Sequence, residues 1–376
     1  MVTTVRPPKV GRPRIDTTAT VAPGSAGALS AGPRAGSGTR VRSTLVSMIV
    51  LLTSVARHSF GAELDRPGIE WLTLESDGTL RDHQGDSVDW EDARPEVAWG
   101  TSDLFREGAP IRAFFSLLGR LEGLRWFQSP AAGFDSPIFS DLVAGGVRIT
   151  NAHVNSLPIA EFVMRSVLDE FQQAESWRRQ VPERSWAIHD WREVAGTTWL
   201  IVGLGGIGTE VALRARAFGA RVIGCRRSPS PDDPTDETVT PDRLVDVVGE
   251  ADVIVLCAPA TPATADLVDA SFLARLRPGC VLVNVGRGSL IDEDALVASL
   301  DHGRPAVAVL DVFRTEPLPA DHVFWSHPSV RVTPHNAAGG SGRLRRQAEL
   351  FADNLERYLN GAPLVNDITA EVGAPT

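Results

Sequence analysis

The stretch 197–227, TTWLIVGLGGIGTEVALRARAFGARVIGCRR, decides how the rest of the chain is read. An apolar run ends at Val202, and Gly203, Gly205 and Gly208 follow in GxGxxG spacing where a helical pattern opens. A second apolar run, 221–225, comes after that helix. Strand, tight turn, helix and strand make the βαβ unit that accepts a dinucleotide, and each glycine has its own task. Gly203 permits the turn, Gly205 lets the backbone approach a pyrophosphate, and Gly208 lets helix and strand pack closely. Leu204, Gly206 and Ile207 complete the expected cradle, whose free N–H groups and positive helix-dipole end attract phosphate.

Outward from this unit, strand candidates recur at 252–258, 280–285, 307–312 and 330–333, with helix-length stretches between most of them. Apolar runs without strict alternation are what strands covered on both faces show, so a parallel, doubly wound Rossmann sheet is expected. On the N-terminal side, runs at 48–53, 69–74, 96–99 and 124–128 alternate with helical or loop stretches and suggest a second α/β domain. A long connecting helix is expected over 156–180, with Pro158 in its first turn, and a last helix over 341–359 is followed by a polar tail. The resulting expectation is α/β: a Rossmann domain, 153–340, inserted in a flavodoxin-like substrate domain formed by 48–152 and 341–376.

A length of 376 residues suits two domains, and 43% hydrophobic with 22% charged residues supplies material for buried cores. A formal net charge of −10 argues against nucleic acid as a partner, because that affinity comes largely from Lys and Arg neutralising phosphates. Residues 1–47 are rich in Gly, Pro, Ser, Thr and Arg and read as a disordered extension. The apolar run 44–56 is shorter than the roughly 20 residues a bilayer span needs, so no membrane is expected. It could form a signal-peptide core, but it reads better as a buried strand starting at Met48. Cys225, Cys257 and Cys280 lie far apart with no metal-ligand spacing; a reduced cytoplasmic setting and no metal follow.

An acidic residue at the end of the second strand would accept hydrogen bonds from an NAD ribose; here that place holds Arg226 and Arg227. Guanidinium groups pair with the 2′-phosphate of NADP, so NADP(H) is expected over NAD(H), with NAD(H) still possible. Downstream, NVGRGSLIDEDAL puts Arg287 in a Gly-flanked loop at a strand's carboxyl end, VAVLDVF delivers Asp311, RTEPLP contains Glu316, and VRVTP delivers His335. An arginine can clamp a carboxylate and polarise the adjacent carbonyl, a histidine can donate the proton, and a glutamate bonded to it can orient it.

The run of VGLGGIG, ADVIVLCAPATPAT, LRPGCVLVNVGRGSLIDEDAL, LDVFRTEPLP and VTPHNAAG, covering about 197–340, resembles the D-2-hydroxyacid dehydrogenase family, of the glyoxylate/hydroxypyruvate reductase kind. The resemblance implies hydride transfer between NADPH and a small 2-keto or 2-hydroxy acid, with Arg287, Glu316 and His335 as the catalytic set. It also implies that Asp311, Val285 and Gly286 lie near the nicotinamide and Pro259 near the adenosine, and that the chain dimerises through the helix over 156–180. A looser match, through LEGLRWFQSPAAGFDS and the run ending at Thr101, implies substrate-carboxylate loops at Gly100, Thr101 and Gly133, with Asp135 beside the last. After His335 stand Asn336 and Ala337, where many relatives carry an apolar residue and glycine. Two alternatives stay open: a phosphoglycerate dehydrogenase-like enzyme, although the chain ends soon after its last helix, and a dinucleotide-sensing corepressor-like binding protein.

Overall fold

The computed structural model describes residues 47–106, 108–130, 133 and 136–373; the expected extension lies outside these residues except for Ser47, and Asp135 lies outside them too. The described residues form one compact unit built on two seven-stranded sheets. The first sheet contains β1 (Met48–Thr53), β2 (Ile69–Leu74), β3 (Leu80–Arg81), β4 (Ser87–Val88), β5 (Val97–Trp99), β6 (Trp126–Gln128) and β7 (Arg148–Thr150). Its order is β4-β3-β2-β1-β5-β6-β7; β3 and β4 run antiparallel at one edge and the other five are parallel. The second contains β8 (Thr198–Val202), β9 (Arg221–Cys225), β10 (Glu237–Val239), β11 (Val253–Leu256), β12 (Val281–Asn284), β13 (Val307–Leu310) and β14 (Val330–Val332). It is parallel throughout, in the order β10-β9-β8-β11-β12-β13-β14. Strand order reverses between β8 and β11 in one sheet and between β1 and β5 in the other, and ligands of open α/β sheets bind at the carboxyl ends beside such points.

Period-two alternation explains why the central strands read as unbroken apolar runs. Along β8, Leu200 and Val202 enter one core while Trp199 and Ile201 enter the core on the opposite face. The first sheet behaves alike: Leu51 faces one core, and Val50 and Leu52 face another. That last core is completed from far along the chain. Ala348, Phe351 and Leu355 of the helix Arg343–Leu359 pack there, and the Phe351 ring stacks on Trp99 and Trp126 at 4.5 and 5.4 Å between centroids.

Three expectations change. The connecting helix is two helices, Ser156–Phe171 and Ala174–Glu183, broken where Gln173 turns left-handed at φ 53°. Phe171 is the last residue of the buried stripe and the second helix buries nothing, so no packing force keeps the two collinear. Strands β3, β4, β7 and β10 are additional; each has only two or three residues, too few to show a period. The polar tail is not loose either, since Leu364 and Ile368 are buried and Asp367 forms a bridge to Thr150 and an ion pair with Arg148 at 2.8 Å.

The three thiols sit in apolar surroundings, and burial pushes Cys225 up to about 11 and Cys257 and Cys280 to about 12. Among the described residues no helix is long and apolar enough to cross a membrane. Truncating Phe351→Ala removes the ring that joins the C-terminal helix to the first sheet. We expect a loss of about 3–5 kcal/mol in urea unfolding; a loss below about 1 kcal/mol would mean the helix is held by other contacts.

Candidate active site

The carboxyl ends of β8, β11 and β12 crowd together. Gly203 adopts φ 98°, and a Cβ there would lie 2.7 Å from the Ala258 nitrogen beyond β11. A Cβ on Gly286 would come within 2.9 Å of the Ala258 carbonyl oxygen, and one on Gly208 would collide with the Gly203 carbonyl. Gly205 is the contrast: its Cβ would meet nothing within 4 Å. The helix Gly206–Ala217 starts there without a side-chain cap, so its first N–H groups face the same open space. Leu204 and Ile207 turn their side chains into the core and leave the backbone outside. Sterically crowded at three glycines and open at the fourth, the turn fits a dinucleotide pyrophosphate. Gly206 faces the start of the helix Ser156–Phe171, where Ser156 Oγ and His153 Nδ1 would lie 2.6 and 2.8 Å from its Cβ. Burial holds the His153 imidazole below its ordinary range.

Val285 and Gly286 are buried against this edge, and Pro259 is exposed beside it, its carbonyl accepting a hydrogen bond from Thr264 Oγ1 at 2.7 Å. The two arginines beyond β9 differ. Arg226 is half-buried and donates to Asp233 Oδ1 at 2.6 Å, whereas Arg227 is exposed with no side-chain partner among the described residues. Burial works against the Asp233 charge, but the Ser230 N–H and the Arg226 guanidinium outweigh it and hold that carboxyl below the usual range. Asp233, seven residues beyond Arg226, is the partner that strand-end reasoning missed.

β12, β13 and β14 are consecutive neighbours, so Arg287, Glu316 and His335 all leave the same edge of the sheet. Arg287 stands in a loop shaped by Asn284, a fully buried side chain that accepts from the Gly286 N–H at 3.0 Å and donates to the Arg287 carbonyl at 2.9 Å. The Arg287 guanidinium itself donates to the Gly286 carbonyl at 2.8 Å. Gly288 presses so closely on the Phe313–Arg314 backbone that any side chain would collide with it, which locks the Arg287 loop to the Glu316 loop. Glu316 Oε1 accepts the Phe313 N–H at 3.0 Å, and Oε2 lies 2.7 Å from His335 Nδ1. With Nδ1 bound to a carboxylate, Nε2 is the nitrogen left for other chemistry.

His335 has φ 49°, a left-handed conformation costing roughly 1–3 kcal/mol unless surroundings fix it. They do so through Asp311. Its carbonyl accepts the His335 N–H at 2.9 Å; its carboxylate, 2% exposed, accepts from Thr333 Oγ1 at 2.7 Å and from the Asn336 and Ala337 N–H groups, each at 2.9 Å. Expected beside the nicotinamide, Asp311 thus spends both oxygens on the histidine loop. Asn336 and Ala337 contribute backbone donors there, which their residue types could not reveal.

On the other sheet, Gly100 packs tightly on Pro130, and the Thr101 side chain is buried, bonded to Thr53 Oγ1 at 3.1 Å and donating to Asp103. Thr101 therefore offers its backbone rather than its hydroxyl. Gly133 is half-buried in the loop after β6. Gln347 ties these loops to the C-terminal helix, accepting the Ser102 N–H and donating to the Pro130 carbonyl, both at 3.0 Å.

Residues 164–337 match the model of the D-isomer specific 2-hydroxyacid dehydrogenase NAD binding domain. The chain is 30% identical over 265 residues to a glyoxylate reductase of Thermococcus gammatolerans, covering 67% of this chain and 79% of that one. Among solved structures, a D-isomer specific 2-hydroxyacid dehydrogenase family protein of Aeromonas salmonicida superposes with TM-score 0.70 at 29% identity, over 86% of this chain and 99% of the other. The NADPH-dependent glyoxylate/hydroxypyruvate reductase of Sinorhizobium meliloti, solved with NADP and sulfate, gives TM-score 0.67 at 25% identity, over 87% and 100%. Glycine turn, sheet order and sequence agree: the chain belongs to the D-isomer specific 2-hydroxyacid dehydrogenase family and is an NAD(P)-dependent oxidoreductase of 2-hydroxy acids.

Proposed function

We propose that the chain reduces a small 2-keto acid to the D-2-hydroxy acid with NADPH, in the manner of a glyoxylate/hydroxypyruvate reductase. The observation that carries this reading is the 2.7 Å bond between His335 Nδ1 and Glu316, on the same sheet edge as Arg287 and beside the glycine turn. A bound nicotinamide dinucleotide supplies the hydride. Glu316 orients the His335 ring, and His335 Nε2 gives a proton to the substrate oxygen as it becomes an alkoxide. Arg287 pairs with the substrate carboxylate and draws charge toward the carbonyl oxygen. Backbone groups at Gly100, Thr101 and Gly133 hold the carboxylate from the other side.

This assigns 48–152 with 341–376 to a substrate domain and 153–340 to a cofactor domain, the reaction taking place in the cleft between them. The separate cores around each sheet and the return of the last helix to the first sheet support that division. Three free cysteines fit a reducing, cytoplasmic setting. Assay of the purified protein with NADPH and glyoxylate or hydroxypyruvate should give turnover. His335→Ala should lower kcat by about 10²–10⁴ and Glu316→Gln by less, while Arg287→Gln should raise KM as well as lower kcat. No turnover on any 2-keto acid would favour a binding protein instead.

NADPH preference rests on Arg226 and Arg227 at the end of β9. Charge-assisted bonds to a 2′-phosphate are worth about 1.5–3 kcal/mol each, so replacing both arginines by Gln should cut the NADPH-to-NADH ratio of kcat/KM at least tenfold. An unchanged ratio would remove the assignment. Because Arg226 is held by Asp233, Arg227→Gln alone should carry much of the loss.

We also propose a homodimer through the helix pair Ser156–Phe171 and Ala174–Glu183. Five large apolar side chains, Trp177, Val181, Trp186, Ile188 and Trp191, are exposed on and just after that pair, Trp186 and Ile188 to more than nine-tenths at 93% and 91%. A monomer seldom leaves such a patch in water. Sedimentation velocity should find a dimer that Trp186→Asp with Ile188→Asp weakens; a monomer at micromolar concentration would contradict this.

A further inference from the structure

The helix Gly206–Ala217 opens beside two side chains that have no role in the proposed reaction. A Cβ on Gly206 would lie 2.6 Å from Ser156 Oγ and 2.8 Å from His153 Nδ1, closer than a carbon can sit to either atom. The space into which a side chain at this position would grow is therefore already filled, by a hydroxyl and an imidazole. They arrive from another part of the chain, the turn His153–Asn155 and the first residue of the helix Ser156–Phe171. Ser156 Oγ is buried and has no hydrogen-bond partner among the described residues. The His153 ring makes no hydrogen bond or ion pair among them either, and it is open to solvent on one side.

A hydroxyl buried without a bond lowers stability, so it calls for a partner from outside the fold. What the two side chains face says which partner. The helix starts without a side-chain cap, and a Cβ on Gly205 would meet nothing within 4 Å, so the first N–H groups look onto open space. Those groups and the positive end of the helix dipole attract an anion. An imidazolium beside them adds a full charge and a charge-assisted hydrogen bond, and the hydroxyl can donate to the same oxygens. Other charged groups approach this spot, and among the described residues most are directed elsewhere. Arg346 Nε donates to the Val154 carbonyl at 3.3 Å and Arg343 Nη2 to the Ser102 carbonyl at 3.4 Å. Glu210 pairs with Arg214 inside the helix Gly206–Ala217, and Glu161 is exposed more than a turn beyond Ser156. Glu371 acts on the imidazole itself and favours its charged form.

We propose that His153, with Ser156 beside it, is a ligand of the dinucleotide diphosphate, and that the imidazole binds in its protonated form. Gly206 is the residue that leaves room for it. This rests on the glycine turn's being the dinucleotide site, and neither on the choice of NADPH over NADH nor on hydride transfer. Cofactor binding then takes up a proton. In the free protein, desolvation of the covered side of the ring holds the imidazole below its ordinary range, with the Glu371 charge opposing. The diphosphate charges favour the protonated form and raise that range in the complex. Affinity is therefore highest below the free imidazole's range, falls as pH rises, and levels off once the bound imidazole has also lost its proton. None of the neighbouring charged groups is an imidazole, and burial pushes the thiols after β8's two neighbours, Cys225 and Cys257, up to about 11 and about 12.

Calorimetry with ADP-ribose on the full chain tests this without turnover. That ligand keeps the diphosphate, which does not titrate near neutral pH, and lacks both the nicotinamide and the 2′-phosphate. Its Kd should rise about three- to tenfold between about pH 6 and about pH 8.5. His153→Gln should abolish the rise, binding more weakly than the parent at the lower pH and equally at the higher. Titrations in buffers of different ionisation enthalpy should show proton uptake on binding by the parent near neutral pH and none by the variant. NADH should follow the same pattern as ADP-ribose. Ser156→Ala should weaken binding about equally at both pH values and leave the rise in place. A His153→Gln variant that matches the parent at every pH, or is weaker by one constant factor throughout, would overturn the proposal, because the imidazole would then be a bystander or a packing group. Failure of ADP-ribose to bind the parent at millimolar concentration would instead remove the dinucleotide site itself, whereas tight binding independent of pH would sink the role of His153 alone.

Discussion

The buried carboxylate of Asp311 is the interaction on which the site depends. It stands at the carboxyl end of β13 and collects a hydroxyl and two backbone N–H groups from the loop after β14, while its carbonyl takes the His335 N–H. A carboxylate hidden from water is stable only when its oxygens are satisfied, and hydrogen bonds to a charged group are each worth about 1.5–3 kcal/mol. Those bonds hold His335 in a left-handed conformation that it would not keep on its own. The imidazole therefore meets Glu316 at 2.7 Å because of a residue that never touches the ring.

A parallel sheet makes this economical. Consecutive strands end at the same edge, so residues far apart in sequence arrive side by side without long excursions. Glycine sets how close the arrivals are: Gly203 and Gly286 bring β8 and β12 against Ala258, and Gly288 brings the Arg287 loop against the Glu316 loop. Adding one methyl group at any of these positions would force two loops apart. The glycine-turn edge and the His335–Glu316 pair are in this sense one packed surface.

Much of this was legible in the chain. Apolar runs marked six of the seven strands of the second sheet, and the glycine spacing marked the turn, because both patterns follow from local geometry that any such sheet must obey. Arg287 and His335 each stand two residues beyond such a run and Glu316 four residues beyond one, and it was the resemblance of the surrounding motifs to the dehydrogenase family that singled the three out. What the sequence hid depends on folding back. Asp233 reaches Arg226 only because the chain reverses after β9, and Thr333 and Asn284 act through side chains that look ordinary at a strand's end. The break at Gln173 was hidden because Trp177 and Val181 continue an apolar pattern that this chain leaves exposed. Arg343 could not be tied to Ser102 without the C-terminal helix in place.

The central claim is that the glycine turn and the His335–Glu316 pair serve one hydride transfer. Stereospecifically deuterated NADPH, incubated with the protein and glyoxylate or a longer 2-keto acid, reads that event directly by mass spectrometry and by chiral analysis of the product. Direct transfer places one deuterium on C2 of the hydroxy acid from one face of the nicotinamide only and, where C2 is a stereocentre, gives the D configuration. Product without deuterium from either label, or of L configuration, would contradict it.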